Sequence, residues 1–207
     1  MLKRVLLALT ILCGVASNAH ANDAVLFQVV NLDCQFCGEM EEEGATSELV
    51  ATARSNGIDY KVIPFGPVNT VPGLHPHGAV TLFYVAARLA PEASPEIAAH
   101  MYRFFANADD KRGTEGRDQL FDTLSVVVGT STESLRESYR LNASEAMDAW
   151  SRAASLIKQA SGEAGFSELQ TPSYILVKNG NIVGFSSWSG DVESTTKQVR
   201  KLIEGEG

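Results

Sequence analysis

Two cysteines, in the run Cys34-Gln35-Phe36-Cys37, are the residues best placed by type and spacing to do chemistry. The thiolate is the reactive form of cysteine, so such a pair works when one sulfur has a lowered pKa and the other lies within reach. A helix start meets both needs. Its unpaired backbone N–H groups and its dipole stabilise a thiolate on Cys34, and the following turn brings Cys37 beneath it, more buried. In the expected cycle Cys34 attacks a disulfide to form a mixed disulfide and Cys37 resolves it; the reverse direction oxidises a dithiol. The alternative of a purely structural bridge in a binding module is weaker. Loop-closure entropy grows with the residues enclosed, and this loop is tiny.

His75-Pro76-His77 supplies two imidazoles that, with the two thiolates, make a chemically reasonable zinc or copper set. A Cys/His metal-binding protein, a metallochaperone, is therefore the alternative reading. Its weakness is spacing: the histidines lie far along the chain from Cys37, and a proline between them suits an exposed loop. Neither a metal nor a cofactor is expected.

The 207-residue chain opens with the cationic Met1-Leu2-Lys3-Arg4, an apolar run from Val5 to Ala16, and Ser17-Asn18-Ala19-His20-Ala21. The apolar run is shorter than the roughly 20 residues that cross a bilayer, and small residues precede Ala21. Residues 1–21 read as a signal peptide cleaved after Ala21, which sends the remainder to the periplasm, an oxidising compartment. Of the 3 cysteines, Cys13 falls in that leader, leaving Cys34 and Cys37. The net charge of −8 argues against nucleic acid, which needs a basic face.

Residues 22–207 then have to position the pair. Ala24 to Asn31 is an apolar, β-branched run suited to a buried strand. Glu39 to Asn56 favours a helix, with acids near its start and Gly57 ending it, and Ile58 to Phe65 alternates as a second strand. Helical segments follow at Gly78–Leu89, Pro95–Asn107, Arg117–Val128, Thr132–Arg140 and Ser144–Ser161. In the last, Met147, Trp150, Ala154 and Ile157 form a core stripe. Ser173–Lys178 and Ile182–Ser186 flank Asn179-Gly180 as a tight hairpin, and a closing helix runs from about Asp191 to Ile203. Glu41-Glu42-Glu43 reads as a solvated helix face, and Asn142-Ala143-Ser144 carries no function.

This order resembles the α/β thioredoxin-like fold, with a helical insertion, at about 74–164, between its two halves. With the leader it resembles the DsbA-like periplasmic thiol:disulfide oxidoreductases over most of the chain. Cys34-Gln35-Phe36-Cys37, Thr171-Pro172-Ser173-Tyr174-Ile175 and Lys178-Asn179-Gly180 carry the likeness. The resemblance implies an enzyme of protein disulfide interchange, acting as oxidase, isomerase or reductase. It implies Cys34 and Cys37 as catalytic residues, and Thr171 with a cis Pro172 as the substrate-binding edge. Its partners would be exported protein substrates with cysteines and a membrane or soluble redox partner that recycles the pair.

Three departures bear on redox tuning. Gln28 stands where the family usually has a buried acid six residues before the first cysteine. Gln35 and Phe36 replace the dipeptide histidine of the strongly oxidising members. Asp33 and Glu39 place carboxylates nearby, which raises a thiol pKa and tempers the oxidant. Thr171 before the proline resembles the isomerases and reductases.

Overall fold

The computed structural model describes residues 24–65, 74, 77–106, 114–165 and 170–205. The leader with Cys13 lies outside them, as do His75 and Pro76. Four strands, β1 (Ala24–Val30), β2 (Asp59–Pro64), β3 (Ser173–Lys178) and β4 (Asn181–Ser187), form one sheet in the order β2-β1-β3-β4. β1 and β2 are parallel, which requires a crossover; β3 runs antiparallel to both β1 and β4. The β3–β4 turn is the expected hairpin. Asn179 (φ 51°) and Gly180 (φ 74°) both take the left-handed region that such a two-residue turn demands.

Side chains alternate across the sheet, so each face has its own partners. Leu26, Val30, Tyr60, Val62, Tyr174 and Leu176 meet the larger helical core, whereas Phe27, Val29, Ile63, Ile175 and Val177 meet a smaller cluster on the other side. β1 is buried on both faces from Leu26 to Val30, as its apolar run requires.

The crossover between β1 and β2 is two helices, α1 (Gln35–Glu42) and α2 (Ala45–Ser55), where the sequence suggests one from Glu39 to Asn56. Gly44 makes the break, with φ 75°, a conformation that glycine adopts without a Cβ penalty. The start moves too: the helix begins at Gln35, so its first turn holds no acid, and Glu39, Glu41 and Glu42 fall in its second half. The dipole there does not favour them, contrary to the sequence expectation.

Among the described residues, four helices stand between β2 and β3: α3 (Gly78–Leu89), α4 (Ser94–Ala106, after a short 3-10 turn at Pro91–Ala93), α5 (Thr114–Val127) and α6 (Thr132–Glu163). The two segments expected at Thr132–Arg140 and Ser144–Ser161 are the single helix α6. No glycine or proline stands between Arg140 and Ser144, and the Asn142 side chain donates from Nδ2 to the Ser138 carbonyl at 2.8 Å. Its 32 residues span about 48 Å, enough to serve both cores. Leu135 and Ala146 pack in the helical block, and Ala153, Ile157 and Ala160 cover the second sheet face.

The buried line of α6 thus consists largely of alanines, which let it approach the sheet closely. Met147, Trp150 and Ala154 of the expected stripe are only half-buried at its flank. α7 (Val192–Glu204) closes the chain, its Asp191 cap accepting from Ser194 N at 2.7 Å. Among the described residues no helix is long and apolar enough to cross a membrane.

Candidate active site

β1 hands over to α1 through Asn31-Leu32-Asp33, a turn closed by the Cys34 N–H donating to the Asn31 carbonyl at 3.0 Å. Leu32, 1% exposed, anchors that turn in the core. Cys34 itself caps the helix: its backbone is extended and its Sγ accepts from the Cys37 N–H at 3.4 Å. Sulfur takes the place that a serine or aspartate oxygen usually holds at a helix start. One turn on, Cys37 is completely buried, while Cys34 remains partly accessible.

The second half of the chain reaches the same spot. The Thr171–Pro172 peptide bond is cis, and the Cys34 thiol donates to the Thr171 carbonyl at 3.4 Å. Trp188, just past β4, donates its N–H to the Pro172 carbonyl at 2.9 Å and stacks its ring on Phe36, with centroids 4.8 Å apart and planes inclined by 19°. Cys34, Cys37, Phe36, Thr171 and Pro172 are therefore brought together. Gln35 is exposed and turned along the helix, donating from Nε2 to Glu39 Oε1 at 2.8 Å. Asp33 directs its backbone N–H to Asn31 Oδ1 at 3.5 Å.

These surroundings separate the two thiols electrostatically. Cys34 is lowered from 9.0 to about 6, first by the hydrogen bond that the Cys37 thiol gives to its thiolate; burial opposes this. The Thr171 side chain and the Cys37 and Phe36 N–H groups add to the lowering. Cys37 is pushed well up, chiefly by burial and then by Cys34. Hydrogen bonding, not the carboxylates of Asp33 and Glu39, sets the Cys34 thiol, so the upward push expected from those acids does not govern it.

In the core with Cys37 lie Gln28, which the sequence reading marked as a departure from the family, and phenols to which it gave no role in the site. Gln28 and Tyr174 are register partners on β1 and β3, and Gln28 Nε2 donates to the Tyr174 hydroxyl at 3.4 Å. Tyr60 from β2 and Tyr102 from α4 add two more buried phenols to the same core. Period-two placement in the strands was the available signal for Tyr60, Gln28 and Tyr174. Trp188 and Tyr102 gave none, because only tertiary packing brings them in.

Among the described residues no three His, Cys, Asp or Glu side chains gather into a metal-ligand set. His75 lies outside those residues, and His77 stacks on Trp150 with ring centroids 5.2 Å apart.

Neither protein-family models nor curated proteins yield a match to this chain. Solved structures do. A putative protein disulfide isomerase from Nitrosomonas europaea is 13% identical with a TM-score of 0.61, covering 89% of this chain and 99% of its own. The oxidoreductase DsbA from Xylella fastidiosa is 16% identical, TM-score 0.53, over 90% of this chain and 87% of its own. MdbA, a thiol-disulfide oxidoreductase from Corynebacterium diphtheriae, is 16% identical, TM-score 0.54, over 93% and 87%. At these identities the likeness establishes the fold: an α/β, thioredoxin-like sheet with a helical insertion between its halves.

Proposed function

We propose that this protein is a thiol:disulfide oxidoreductase that exchanges disulfides with cysteine-containing clients through Cys34 and Cys37. The observation that carries the proposal is the asymmetry of the pair. Cys34 sits at a helix cap, partly accessible and held to about 6, while Cys37 is fully buried beneath it with its thiol favoured. At neutral pH Cys34 is thus mostly thiolate, ready to attack, and Cys37 keeps its proton until the mixed disulfide forms. Proteins of this fold bearing oxidoreductase and isomerase names support the reading.

The client binds along the Thr171–Pro172 edge. An extended peptide can pair with backbone there as an added strand, placing its cysteine over Cys34. Phe36, 43% exposed, and the Trp188 ring beside it offer apolar surface to the flanking side chain. The leader read at residues 1–21 places the reaction in the periplasm, where a second redox protein, soluble or in the membrane, recycles the pair.

Redox poise, though not the direction of net exchange, follows from the Cys34 thiolate. Stabilising it favours the reduced enzyme and makes the disulfide a better oxidant. A value of about 6 lies between the roughly 7 of thioredoxin and the roughly 3.5 of the strongest oxidase. The reduction potential should accordingly fall between about −270 and −120 mV. Gln35, Phe36 and Asp33 bring no cation that would push it further, so oxidation and shuffling are both accessible.

The test is disulfide exchange with a reduced, unfolded protein bearing paired cysteines. Cys34→Ser should abolish turnover. Cys37→Ser should leave a client trapped on Cys34, visible as a mixed disulfide on non-reducing gels. Full activity in Cys34→Ser overturns the proposal.

A further inference from the structure

The resolving step needs Cys37 to lose a proton inside the core, and Gln28 cannot accept it, because an amide is no base at physiological pH. The residues around Cys37 are unusual in a way that bears on this. The hydroxyls of Tyr60 and Tyr102 are buried, the residues being 6% and 7% exposed, and neither has a hydrogen-bond partner among the described residues. An unpaired buried hydroxyl is destabilising, so two of them in the core that holds the Cys37 thiol require an explanation.

Glu41 supplies one. On α1 it stands four residues after Cys37, hence on the same side of the helix. Its neighbours Glu42 and Glu43 are exposed, whereas its own side chain is 18% exposed. The acidic run is therefore not one solvated face. Of the buried phenols, Tyr60 is the one that feels both the Cys37 and the Glu41 charges, each raising it after the dominant effect of burial. On its other side Glu41 lines a cleft of about 290 Å3 between α2 and α4. Exposed Arg54, Glu96 and Arg103 and partly exposed His100 rim that cleft, so it opens to solvent.

We infer that Glu41 is the proton acceptor for Cys37 in the resolving step, reached through the Tyr60 hydroxyl and emptying into the cleft between α2 and α4. This rests on the thiol-exchange reading above. From the mixed disulfide, the Tyr60 hydroxyl, unpartnered in this structure, moves into reach of both groups, takes the Cys37 proton and gives its own to the Glu41 carboxylate. The Cys37 sulfur bonds to the Cys34 sulfur as the Cys34–client bond breaks, and the electron pair leaves on the client sulfur. The client disulfide is reduced and the Cys34–Cys37 dithiol is oxidised, so electrons balance. In reverse, Cys37 leaves as a thiolate and recovers its proton from Glu41.

Burial raises the Glu41 carboxyl above its ordinary value, which makes it a better base. Arg103 Nη2, 3.8 Å away, partly opposes that rise, while Glu96 adds to it. Glu41 acts through Tyr60 and is thus a positioning residue rather than one that touches the client.

Quenched-flow mass spectrometry of the reduced full chain with oxidised glutathione separates the two steps. Glutathionylation of Cys34 reports the first, and loss of that adduct the second. Glu41→Gln should leave the first step unchanged and slow the second about a hundredfold, the low end of what positioned proton transfer contributes. The fall-off of the second step toward acid pH should vanish with it. Tyr60→Phe, which removes an unpaired hydroxyl and keeps the fold, should do the same; exposed Glu42→Gln should not.

A merely electrostatic role gives the opposite sign, since removing a nearby negative charge lowers the Cys37 pKa and speeds resolution. Resolution in Glu41→Gln at or above the wild-type rate overturns the inference alone. Failure of the wild type to form the adduct overturns the thiol-exchange reading as well.

Discussion

The rim and the floor of this site share one helical turn and treat sulfur in opposite ways. At the rim, Cys34 meets backbone N–H groups, the Thr171 hydroxyl and the Cys37 thiol, all of which favour negative charge. At the floor, Cys37 is packed among Met40, Leu32 and three phenols in the core, and burial disfavours charge. The helix start provides donors only in its first turn, so a one-turn displacement is enough to move a thiol from one regime to the other. In the proposed cycle, the order of attack and resolution is thereby built into the backbone, before a client binds.

The largest expected contrast is in thiol labelling. A small alkylating reagent applied to the reduced protein at pH 6 should modify Cys34 more than tenfold faster than a simple thiol, because half of it is thiolate there, while its weaker intrinsic nucleophilicity takes back part of the gain. Cys37 should stay unmodified on that timescale until the protein unfolds. Comparable labelling of the two cysteines in the native protein would erase the distinction between rim and floor.

Stability should carry the same signature. The folded pKa of Cys34 is depressed from 9.0 to about 6, so its contribution to the reduced protein is complete above 9, shrinks as pH falls, and is lost through about 6. Because the sulfur is partly accessible, solvent screening cuts that contribution to about half or less of the full linkage value. The disulfide form has no such thiolate. The reduced-minus-oxidised difference in melting temperature should therefore grow from pH 5.5 to pH 8.5; a flat difference means the rim donors do not stabilise charge.

Much of the rim could be read from the chain, and little of the floor. Cys34-Gln35-Phe36-Cys37 and Thr171-Pro172 are local patterns, and a strand ending before the first and a hairpin following the second suffice to bring them together. The Asn179-Gly180 turn and the span of α3 were equally local. Gly44 was harder, because a lone glycine in a helical run is often tolerated, and only its positive φ breaks the crossover in two. At Leu141-Asn142-Ala143 the opposite happened: the sequence reading left a gap between two helices where no glycine or proline enforced one. Glu41 looked like its neighbours because a run of like residues hides the 100° that each helical step turns. Trp188 and Tyr102 reach the site from the far end and from the insertion, which no local pattern encodes.

A smaller effect tests whether the rim has a mechanical side. Trp188→Ala removes the stack on Phe36 and should cost about 1 kcal/mol, seen as a drop of roughly 2–4 °C in the melting temperature of a chain this size. The Cys34 labelling midpoint should hold, since the ring donates nothing to the sulfur. A shifted midpoint would mean that the stack, and not the helix cap, holds Phe36 and its N–H in place.

The smallest expected effect concerns the acids beside the motif. If hydrogen bonds set the rim, Asp33→Asn and Glu39→Gln should each move the Cys34 labelling midpoint by less than about 0.5 in pH at physiological salt. Glu39 is already engaged by Gln35 at 2.8 Å along the exposed side of α1. Asp33 and Glu39 are partly exposed, so salt screens their charges, whereas the donors to Cys34 act at contact distance. A fall of a full pH unit or more in either variant would restore the carboxylates as the tempering influence, and would make the rim a balance of charge and cap instead of a cap alone.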